Sequence, residues 1–547
     1  MSQSPITRRR FVSGAAAGAG AVVLAPQSFA LGLASARRAP MFRGGRFSDG
    51  VMSGDPTPTG ITLWTRVNGV EGAGRVELEI ARDRAFRRVV QRKQIATRGL
   101  VNHAVKARVT KLDPYEEYYY RFSTRTGESR VGKIRTALPP GSNQPVRFAF
   151  FSCQDYTHGY YNAHEVMAAG DYDFVVCLGD YIYSETYHSV KGTKTAVRDD
   201  RIGRSGPNKS IVREARTLSD YRKKYSLYRS DPALRAVHAE FPMVMLWDDH
   251  EVQDNYAGAE RYGGLGPSKR FGPHRKKVAN RAFFESMPAF AGKNRQRLFR
   301  SLRFGNVVDL IVMDQRSYRE NQPCRDAVVP PCDGYDAPRD FLGRRQMNYV
   351  KGKLAASKAA WKVLANEVPI MPTRVLGGAN YTYDTWTGYP REREELLAFL
   401  RDRGIKDTVF ITGDLHTFIA GDVRTDLGDG ETVALEFVGG SMTSQSLGET
   451  TLDAGGGVIL PGNDANPNTD PGIIEALRGV NPWVDQADFD HHGFAKVVAT
   501  PSAFDVQMVR VETIKQRSRR TLPSAGWRYR VQRGQQSIKG VNGPPAA

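Results

Sequence analysis

The chain has few cysteines and, beyond its first residues, no long apolar run. Its 547 residues include only four cysteines, too few for a small disulfide-rich scaffold. No later apolar stretch approaches the roughly 20 residues that a membrane-spanning helix needs, so we expect no transmembrane anchor after signal cleavage. The sequence also lacks a basic helix, an RNA-binding signature and paired zinc-finger cysteines. The net charge of +20 is therefore weak support for nucleic-acid binding, and no stable nucleic-acid complex is expected.

What the sequence does contain is the composition of a folded globular protein. Hydrophobic residues make up 40%, charged residues 25% and aromatic residues 10% of the chain. These values exclude a disordered or fibrous protein. The length predicts roughly two to four domains, and the positive charge favours an anionic substrate or partner.

The N-terminal segment has the features of an export signal. Three consecutive arginines precede Phe11 and a weakly apolar Gly/Ala-rich run, and Ser28-Phe29-Ala30 fits a small-x-small cleavage site. Residues 1–30 resemble a twin-arginine signal peptide, with an ordinary secretory leader as the alternative. We therefore expect a periplasmic or secreted protein that meets the twin-arginine export machinery. In that oxidising compartment, we also expect Cys324 and Cys332 to form a disulfide.

The strand pattern changes near residue 140. In residues 39–140, short runs with period-two alternation predict antiparallel strands, and residues 112–121 resemble the tyrosine corner of fibronectin-type domains. We interpret this region as a small fibronectin/Ig-like β-sandwich. In residues 145–515, short apolar runs alternate with helix-compatible stretches, which predicts an α/β catalytic domain. Residues 516–547 are predicted to be a C-terminal extension and tail.

Potential metal ligands follow four of the apolar runs. Because the carboxyl ends of strands in an α/β sheet form one crevice, these ligands can converge. Five carboxylates in one place require cations, and phenolate and thiolate groups suit a trivalent ion such as ferric iron beside divalent ions. Each motif alone is weak support, since a Gly-Asp pair is often a turn and a lone histidine is often a core residue. The four segments are Ser152-Cys153-Gln154, Gly179-Asp180-Tyr181-Ile182-Tyr183, Asp248-Asp249-His250-Glu251 and Gly413-Asp414-Leu415-His416.

These motifs resemble those of PhoD-type alkaline phosphatases and phosphodiesterases, which are related to purple acid phosphatases and other metallophosphatases. Ser53-Gly54-Asp55-Pro56 and the segment Met313 to Arg319 add to the resemblance, which covers nearly the whole mature chain. It implies a metallophosphatase-like core of layered sheets and helices, a preceding sandwich-like domain, twin-arginine export, and a centre that holds Fe³⁺ and Ca²⁺.

The resemblance also assigns site residues by their place in the motifs. His250 is expected near the substrate, and Asn255 belongs to a segment where the family has two asparagines. Arg316 is expected either to bind phosphate as a bidentate fork or to pair with Asp314. Asp248 is either a ligand or a residue that orients one. The implied metal ligands are Cys153, Asp180, Tyr183, Asp248, Asp249, Asp414 and His416.

Such a centre implies hydrolysis of phosphate monoesters and/or diesters by a metal-activated hydroxide, with small phosphate esters as substrates and His250 as proton donor to the leaving oxygen. A phospholipid or wall-polymer phosphodiesterase on the same site is one alternative. A basic, non-catalytic envelope or nucleic-acid-binding protein is another. The basic insertion between the Asp180 and Asp249 motifs either steers anionic esters or is a solvated surface. The oligomeric state stays open.

Overall fold

The computed structural model describes residues 39–186, 197–200, 202, 214–257, 272–289, 297–326, 332–375, 377–426, 430–449 and 471–538. The predicted signal peptide at residues 1–30 and part of the basic insertion lie outside these ranges. Within the described ranges, no helix has the length and hydropathy needed to cross a bilayer.

The strands and helices are numbered along the chain. The strands are β1 (Val51–Thr57), β2 (Gly60–Arg66), β3 (Ala73–Ala81), β4 (Val89–Arg98), β5 (Ala104–Thr110), β6 (Glu117–Ser123), β7 (Gly132–Arg135), β8 (Val146–Phe151), β9 (Phe174–Cys177), β10 (Pro242–Met245), β11 (Arg300–Phe304), β12 (Val308–Val312), β13 (Trp361–Asn366), β14 (Thr408–Thr412), β15 (Phe418–Arg424), β16 (Thr432–Gly439), β17 (Val484–Asp488), β18 (Gly493–Ala499), β19 (Ala503–Arg510) and β20 (Arg528–Gln532). The α-helices are α1 (Asn162–Ala168), α2 (Leu218–Tyr228), α3 (Pro232–Glu240), α4 (Pro273–Ser286), α5 (Gly343–Ala356), α6 (Pro390–Asp402) and α7 (Pro471–Val480).

These strands form three sheets. The first has nine strands in the order β20-β19-β18-β8-β9-β10-β1-β2-β5, and the second has seven in the order β11-β12-β13-β14-β16-β15-β17. The third has four strands in the order β4-β3-β6-β7. Within the first sheet β8, β9 and β10 are parallel, and within the second β12, β13, β14 and β16 are parallel. Parallel neighbours bring their carboxyl ends to the same edge of a sheet, which is where the predicted ligands follow.

The two large sheets pack face to face and carry helices on their outer sides. Their inner faces share one apolar cluster that includes Phe148 and Val175 from the first sheet and Val363 and Val409 from the second. Helices α5 and α6 pack with the outer face of the second sheet, and α1 and α3 pack beside the first. This layered arrangement confirms the predicted α/β fold class, since nearly continuous apolar strands are those covered on both faces.

The N-terminal region is rich in β-structure, as predicted, but its strands β1, β2 and β5 belong to the nine-stranded sheet of the following region. The four-stranded sheet packs against β1, β2 and β5 through side chains such as Leu78 and Val105. Strand β1 also pairs in parallel with β10, with Ser53 opposite Pro242, and so continues into the nine-stranded sheet. The backbone N–H of Asp113 donates to the Tyr118 hydroxyl over 2.9 Å, as in a tyrosine corner.

The structure also bears on the predicted disulfide and on the predicted C-terminal extension. Cys324 and Cys332 are joined in a disulfide, which confirms that expectation. Strand β20 lies in the predicted C-terminal extension and forms an edge of the nine-stranded sheet.

Candidate metal centre

The loops at the strand ends hold several predicted site residues in an unusual backbone conformation. Cys153 follows β8, Asp180 follows β9, and Asp414 and His416 follow β14; their φ angles are 58°, 52°, 70° and 56°. Residues other than glycine rarely adopt this left-handed region, and such strain is concentrated at functional sites. Gly179 precedes Asp180 with φ of 117°, and a Cβ there would overlap the Asp248 side chain. Glycine therefore lets the ends of β9 and β10 approach each other.

The first group of ligands, which we name the thiol cluster, consists of Cys153, Asp180, Tyr183 and His416. Ligand atoms of Cys153, Asp180 and His416 all lie within 4.8 Å of one another. The Tyr183 hydroxyl lies 3.0 Å from Asp180 Oδ2 and 3.2 Å from His416 Nε2. His416 Nδ1 lies 2.6 Å from the Gln445 carbonyl oxygen. A carbonyl only accepts, so Nδ1 carries the proton and Nε2 presents its lone pair to the cluster.

The second group, which we name the carboxylate cluster, surrounds a buried guanidinium. Ligand atoms of Asp248, Asp249 and Asp414 lie within 4.8 Å of one another. Arg316 is fully buried and forms ion pairs with Asp248, with Asp384 and, at 2.9 Å, with Asp414. Its Nη2 lies 3.7 Å from Asp249 Oδ1. The protein thus supplies one positive charge of its own to this cluster.

The position of Arg316 bears on its two expected roles. Asp314 Oδ1 accepts hydrogen bonds from Trp247 Nε1 at 2.9 Å and from the Ser317 N–H at 3.1 Å. Within the described residues, the ion pairs of Arg316 are with the four carboxylates named above and not with Asp314, so the expected pairing is wrong. A phosphate would have to compete with these carboxylates for the guanidinium, and phosphate binding by Arg316 stays a prediction.

His250 lies beside the thiol cluster and is held by a residue that the sequence did not single out. Its ring stacks on Tyr183 with centroids 4.0 Å apart, and its Nδ1 lies 2.8 Å from Glu185 Oε2. Burial alone would lower the pKa of His250, but the carboxylates of Asp249, Asp180 and Glu185 raise it well above its usual range. Burial alone would raise the pKa of Glu185, but His250 holds it at about 2. Glu185 lies two residues beyond Tyr183, the only sequence signal that points to it.

Three other residues support the carboxylate cluster. The backbone N–H of Asn255 donates to Asp249 Oδ2 over 2.6 Å. Glu251 accepts from the backbone N–H groups of Asp248 and Asp180 at 2.7 and 3.1 Å, and so joins two strand ends. Asp384 was missed by the sequence reasoning; it lies two residues before Trp386 and pairs with Arg316 and Arg319.

The protonation of both clusters fits bound cations. Burial raises the pKa of Asp180 and Asp414 well above the usual range, and that of Asp248 to about 6. Burial, with Asp180 adding to it, also raises the pKa of Cys153 and Tyr183. These groups cannot all ionise unless positive charge is added. In addition, Asp248 Oδ2 is buried without a hydrogen-bond partner in the described chain.

The donor chemistry of each cluster indicates which kind of ion it suits. Burial lowers the pKa of His416 to about 4, so its imidazole is neutral and able to ligate. Sulfur, phenol and imidazole in the thiol cluster suit a transition metal, whereas the oxygen-only carboxylate cluster suits a divalent ion such as Ca²⁺. The fold therefore brings together all seven predicted ligands and the three predicted catalytic residues, His250, Arg316 and Asn255.

Comparison with known proteins agrees with this geometry. The chain matches the family model described as PhoD-like phosphatase over residues 148–508 and the one described as PhoD-like phosphatase, N-terminal domain, over residues 32–138. It is 34% identical over 512 residues to alkaline phosphatase D of Bacillus subtilis (strain 168), covering 90% of this chain and 82% of that protein.

Solved structures give the same result. A structure described as PhoD superposes with a TM-score of 0.78 and 30% identity, covering 90% of this chain and 92% of that one. A purple acid phosphatase from yellow lupin (Lupinus luteus) seeds superposes with a TM-score of 0.52 and 12% identity, covering 84% and 71% of the two chains, and shows the shared fold alone. The fold class and the resemblance expected from the motifs are confirmed. With both of its parts matched by family models and 30% or more identity to PhoD relatives along most of its length, the chain belongs to the PhoD-like phosphatase family of phosphoric ester hydrolases.

Proposed function

We propose that the protein is an exported, metal-dependent hydrolase of phosphate monoesters and/or diesters. In this proposal, the thiol cluster holds Fe³⁺ and the carboxylate cluster binds Ca²⁺, with Asp180 and Asp249 between them. The observation that carries the proposal is the convergence of three overlapping ligand groups at the carboxyl ends of parallel strands. A third group, Asp180, Asp249 and His250, links the thiol cluster to the carboxylate cluster. Each group has its ligand atoms within 4.8 Å, and Asp180 and Asp249 each belong to two groups.

Ions bound there would neutralise the phosphoryl oxygens and lower the pKa of water so that hydroxide is available near neutral pH. The side chains then have to hold the ester and move protons. Glu185 accepts the Nδ1 proton of His250 and fixes the ring, so Nε2 is the atom that donates a proton to the leaving oxygen. Ser152 is 1% exposed and has no part in the reaction, because an activated hydroxide makes a protein nucleophile unnecessary.

Export, location and partners belong to the same proposal. The N-terminal twin-arginine pattern supports recognition by the twin-arginine machinery and a periplasmic or secreted enzyme. Small phosphate esters are the proposed substrates. A phospholipid or wall-polymer diester would use the same residues, and a panel of such esters distinguishes these substrates.

The decisive test is the Asp180→Ala, Asp249→Ala double variant. It is expected to lose bound metal and at least ~1,000-fold in kcat/KM, because the two carboxylates shared between groups are removed. The matched control is Asp505→Ala, an aspartate on β19 whose partner is Arg530 at 3.7 Å. Asp505 lies opposite Val498 of β18, which lies opposite Arg147 at the amino end of β8, away from the end that Cys153 follows. Metal content by atomic emission and hydrolysis of the ester panel give the result.

Two outcomes would contradict the proposal. A double variant that retains wild-type turnover would remove the metal centre from the reaction. A wild-type protein that binds anionic polymers without hydrolysing any ester, and a double variant that binds them equally well, would favour the non-catalytic alternative.

A further inference from the structure

A segment that no sequence motif indicated lies against the thiol cluster. Residues 440–446, which we name the serine segment, follow β16 directly. The backbone N–H groups of Thr443 and Ser444 both donate to the Cys153 carbonyl oxygen, at 3.3 and 3.1 Å, and the Met442 N–H donates to Ser152 at 3.1 Å. These bonds hold the strained turn that presents the Cys153 thiol.

The Ser444 hydroxyl reaches a ligand side chain. Its Oγ lies 2.6 Å from the Tyr183 hydroxyl oxygen and 2.8 Å from the Cys153 carbonyl oxygen, and it accepts the Asp155 N–H at 3.1 Å. A hydroxyl has one hydrogen to donate. The contact with Tyr183 is the shorter of the two that could take this hydrogen.

The next residue orients a second ligand. The Gln445 carbonyl oxygen accepts the Nδ1 proton of His416 over 2.6 Å, which leaves Nε2 as the ligating atom. Two consecutive residues of the serine segment therefore contact Tyr183 and His416, and the backbone bonds of the segment hold Cys153.

A buried polar chain holds the serine segment in turn. The Ser441 hydroxyl donates to the Ser444 carbonyl oxygen at 2.7 Å and lies 2.9 Å from His492 Nδ1. His492 Nε2 lies 3.4 Å from Glu449 Oε2, and Glu449 Oε1 pairs with Lys515 at 2.9 Å.

Serine, histidine and a carboxylate in this order resemble a hydrolytic triad, but Ser441 is 0% exposed and gives its hydrogen to a carbonyl. No substrate could reach its oxygen. The hydrogen-bonded residues Ser441, His492 and Glu449 thus support the metal centre and are not a second active site.

We propose that Ser444 is a positioning residue of the metal centre, with its hydroxyl oxygen 2.6 Å from that of Tyr183, and that the hydrogen-bonded series Ser441–His492–Glu449 keeps it in place. This inference rests on the proposed function, since it requires a metal in the thiol cluster. Hydrogen bonds to metal ligands typically change metal affinity by 10- to 100-fold.

The test uses the full-length, metal-loaded protein carrying Ser444→Ala. Release of bound metal to excess EDTA, followed by atomic emission for whichever ion the protein holds, is expected to be roughly 10-fold faster than in the wild type. Where the ion is ferric, the phenolate charge-transfer band is expected to move to longer wavelength, because the phenolate loses a stabilising donor. His492→Gln is expected to change both readouts in the same direction and by less, and it replaces Ser444→Ala where the alanine variant does not fold.

Thr443→Val is the matched control. Thr443 is also fully buried in the serine segment, but its hydroxyl donates to the Asp155 carbonyl oxygen at 2.6 Å and touches no ligand side chain. The Thr443→Val variant is expected to lose about as much thermal stability as Ser444→Ala but to release metal at the wild-type rate. Wild-type release and an unmoved band in Ser444→Ala, or equally fast release in Thr443→Val, would overturn the inference. If the wild-type enzyme is active and one of these results is found, this inference is wrong and the proposed function stands. If the wild-type protein holds metal but hydrolyses no ester, the proposed function is wrong, and the comparison of metal release between the variants is still valid.

Discussion

The thiol cluster and the carboxylate cluster of the candidate metal centre balance their buried negative charge in different ways. Both lie at the carboxyl ends of parallel strands and both bury several acidic groups. The carboxylate cluster contains the guanidinium of Arg316, which pairs with Asp248, Asp384 and Asp414. The thiol cluster has a neutral His416 instead. Ionisation of Cys153 and Tyr183 therefore depends on an added ion, whereas the carboxylate cluster is partly neutralised by the protein itself. We expect tightly held metal in the thiol cluster and exchangeable metal in the carboxylate cluster.

Of the changes that test this comparison, Cys153→Ser is expected to have the largest effect. Without the thiolate, the thiol cluster is expected to lose nearly all its iron, and turnover is expected to fall at least ~100-fold, because serine is a poor ligand at neutral pH. Cys177→Ser is the control, since Cys177 is the other free cysteine, is equally buried and ends the neighbouring strand β9. Visible absorption and atomic emission measure the iron. A colourless Cys177→Ser protein, or an iron-loaded Cys153→Ser protein, would contradict the assignment of the thiolate.

Arg316→Met is expected to have a smaller effect, which is a loss of stability of the metal-free protein. Removing one partner of a buried ion pair typically lowers the free energy of unfolding by about 3–5 kcal/mol, because the carboxylates are left uncompensated. Added Ca²⁺ is expected to restore more stability to the variant than to the wild type, since the ion replaces the lost charge. Arg393→Met is the control: Arg393 is buried but donates to the Ile370 and Arg424 carbonyl oxygens. Urea titrations with and without Ca²⁺ measure the free energy of unfolding of the wild type and of both variants. If Ca²⁺ stabilises all three proteins equally, Arg316 does not neutralise the charge that a bound cation would neutralise.

The smallest expected effect is a difference between the two clusters in how their metal affinity depends on pH. Burial holds the pKa of Cys153 and of Tyr183 above their usual ranges, so both are protonated in the metal-free protein and must release protons when metal binds. Each released proton makes the apparent affinity rise about tenfold per pH unit, and acid reverses it. In the carboxylate cluster, burial raises the pKa of Asp414 well above its usual range but that of Asp248 only to about 6, and Arg316 lowers the pKa of Asp249. Fewer groups there have to release a proton at pH 8 than in the thiol cluster. Competitive chelator titrations between pH 6 and pH 9 should give a steeper slope for iron than for calcium. Equal slopes would mean that the two clusters titrate alike.

The sequence predicted much of this centre because the ligands occur in short local patterns. Cys153, Asp180 and His416 each follow an apolar run, and a run of that length and composition is a buried strand. The common carboxyl edge of such strands then places their following residues together. The pairing of β1 with β10 was not predictable in the same way, because alternating apolar residues specify a strand and a buried face but not the neighbouring strand.

The supporting residues escaped prediction for a related reason. Glu185, Asp384 and Ser444 are ordinary polar residues in segments without regular periodicity. Asp384 lies 68 positions beyond Arg316 along the chain, and Ser444 lies 261 positions beyond Tyr183. Single residues of common types carry no local signal, so only their contacts reveal what they do.

The sequence by itself determined the kind of strands, the donor groups at their ends and the family to which these belong, since each is encoded within a few consecutive residues. Tertiary structure alone decided which charges balance which: that Arg316 faces four carboxylates rather than Asp314, that Glu185 holds His250, and that Ser444 reaches Tyr183. The physical reason is that electrostatic and hydrogen-bond energies depend on distances of a few ångströms. Those distances are set by the packing of whole sheets and not by neighbours along the chain.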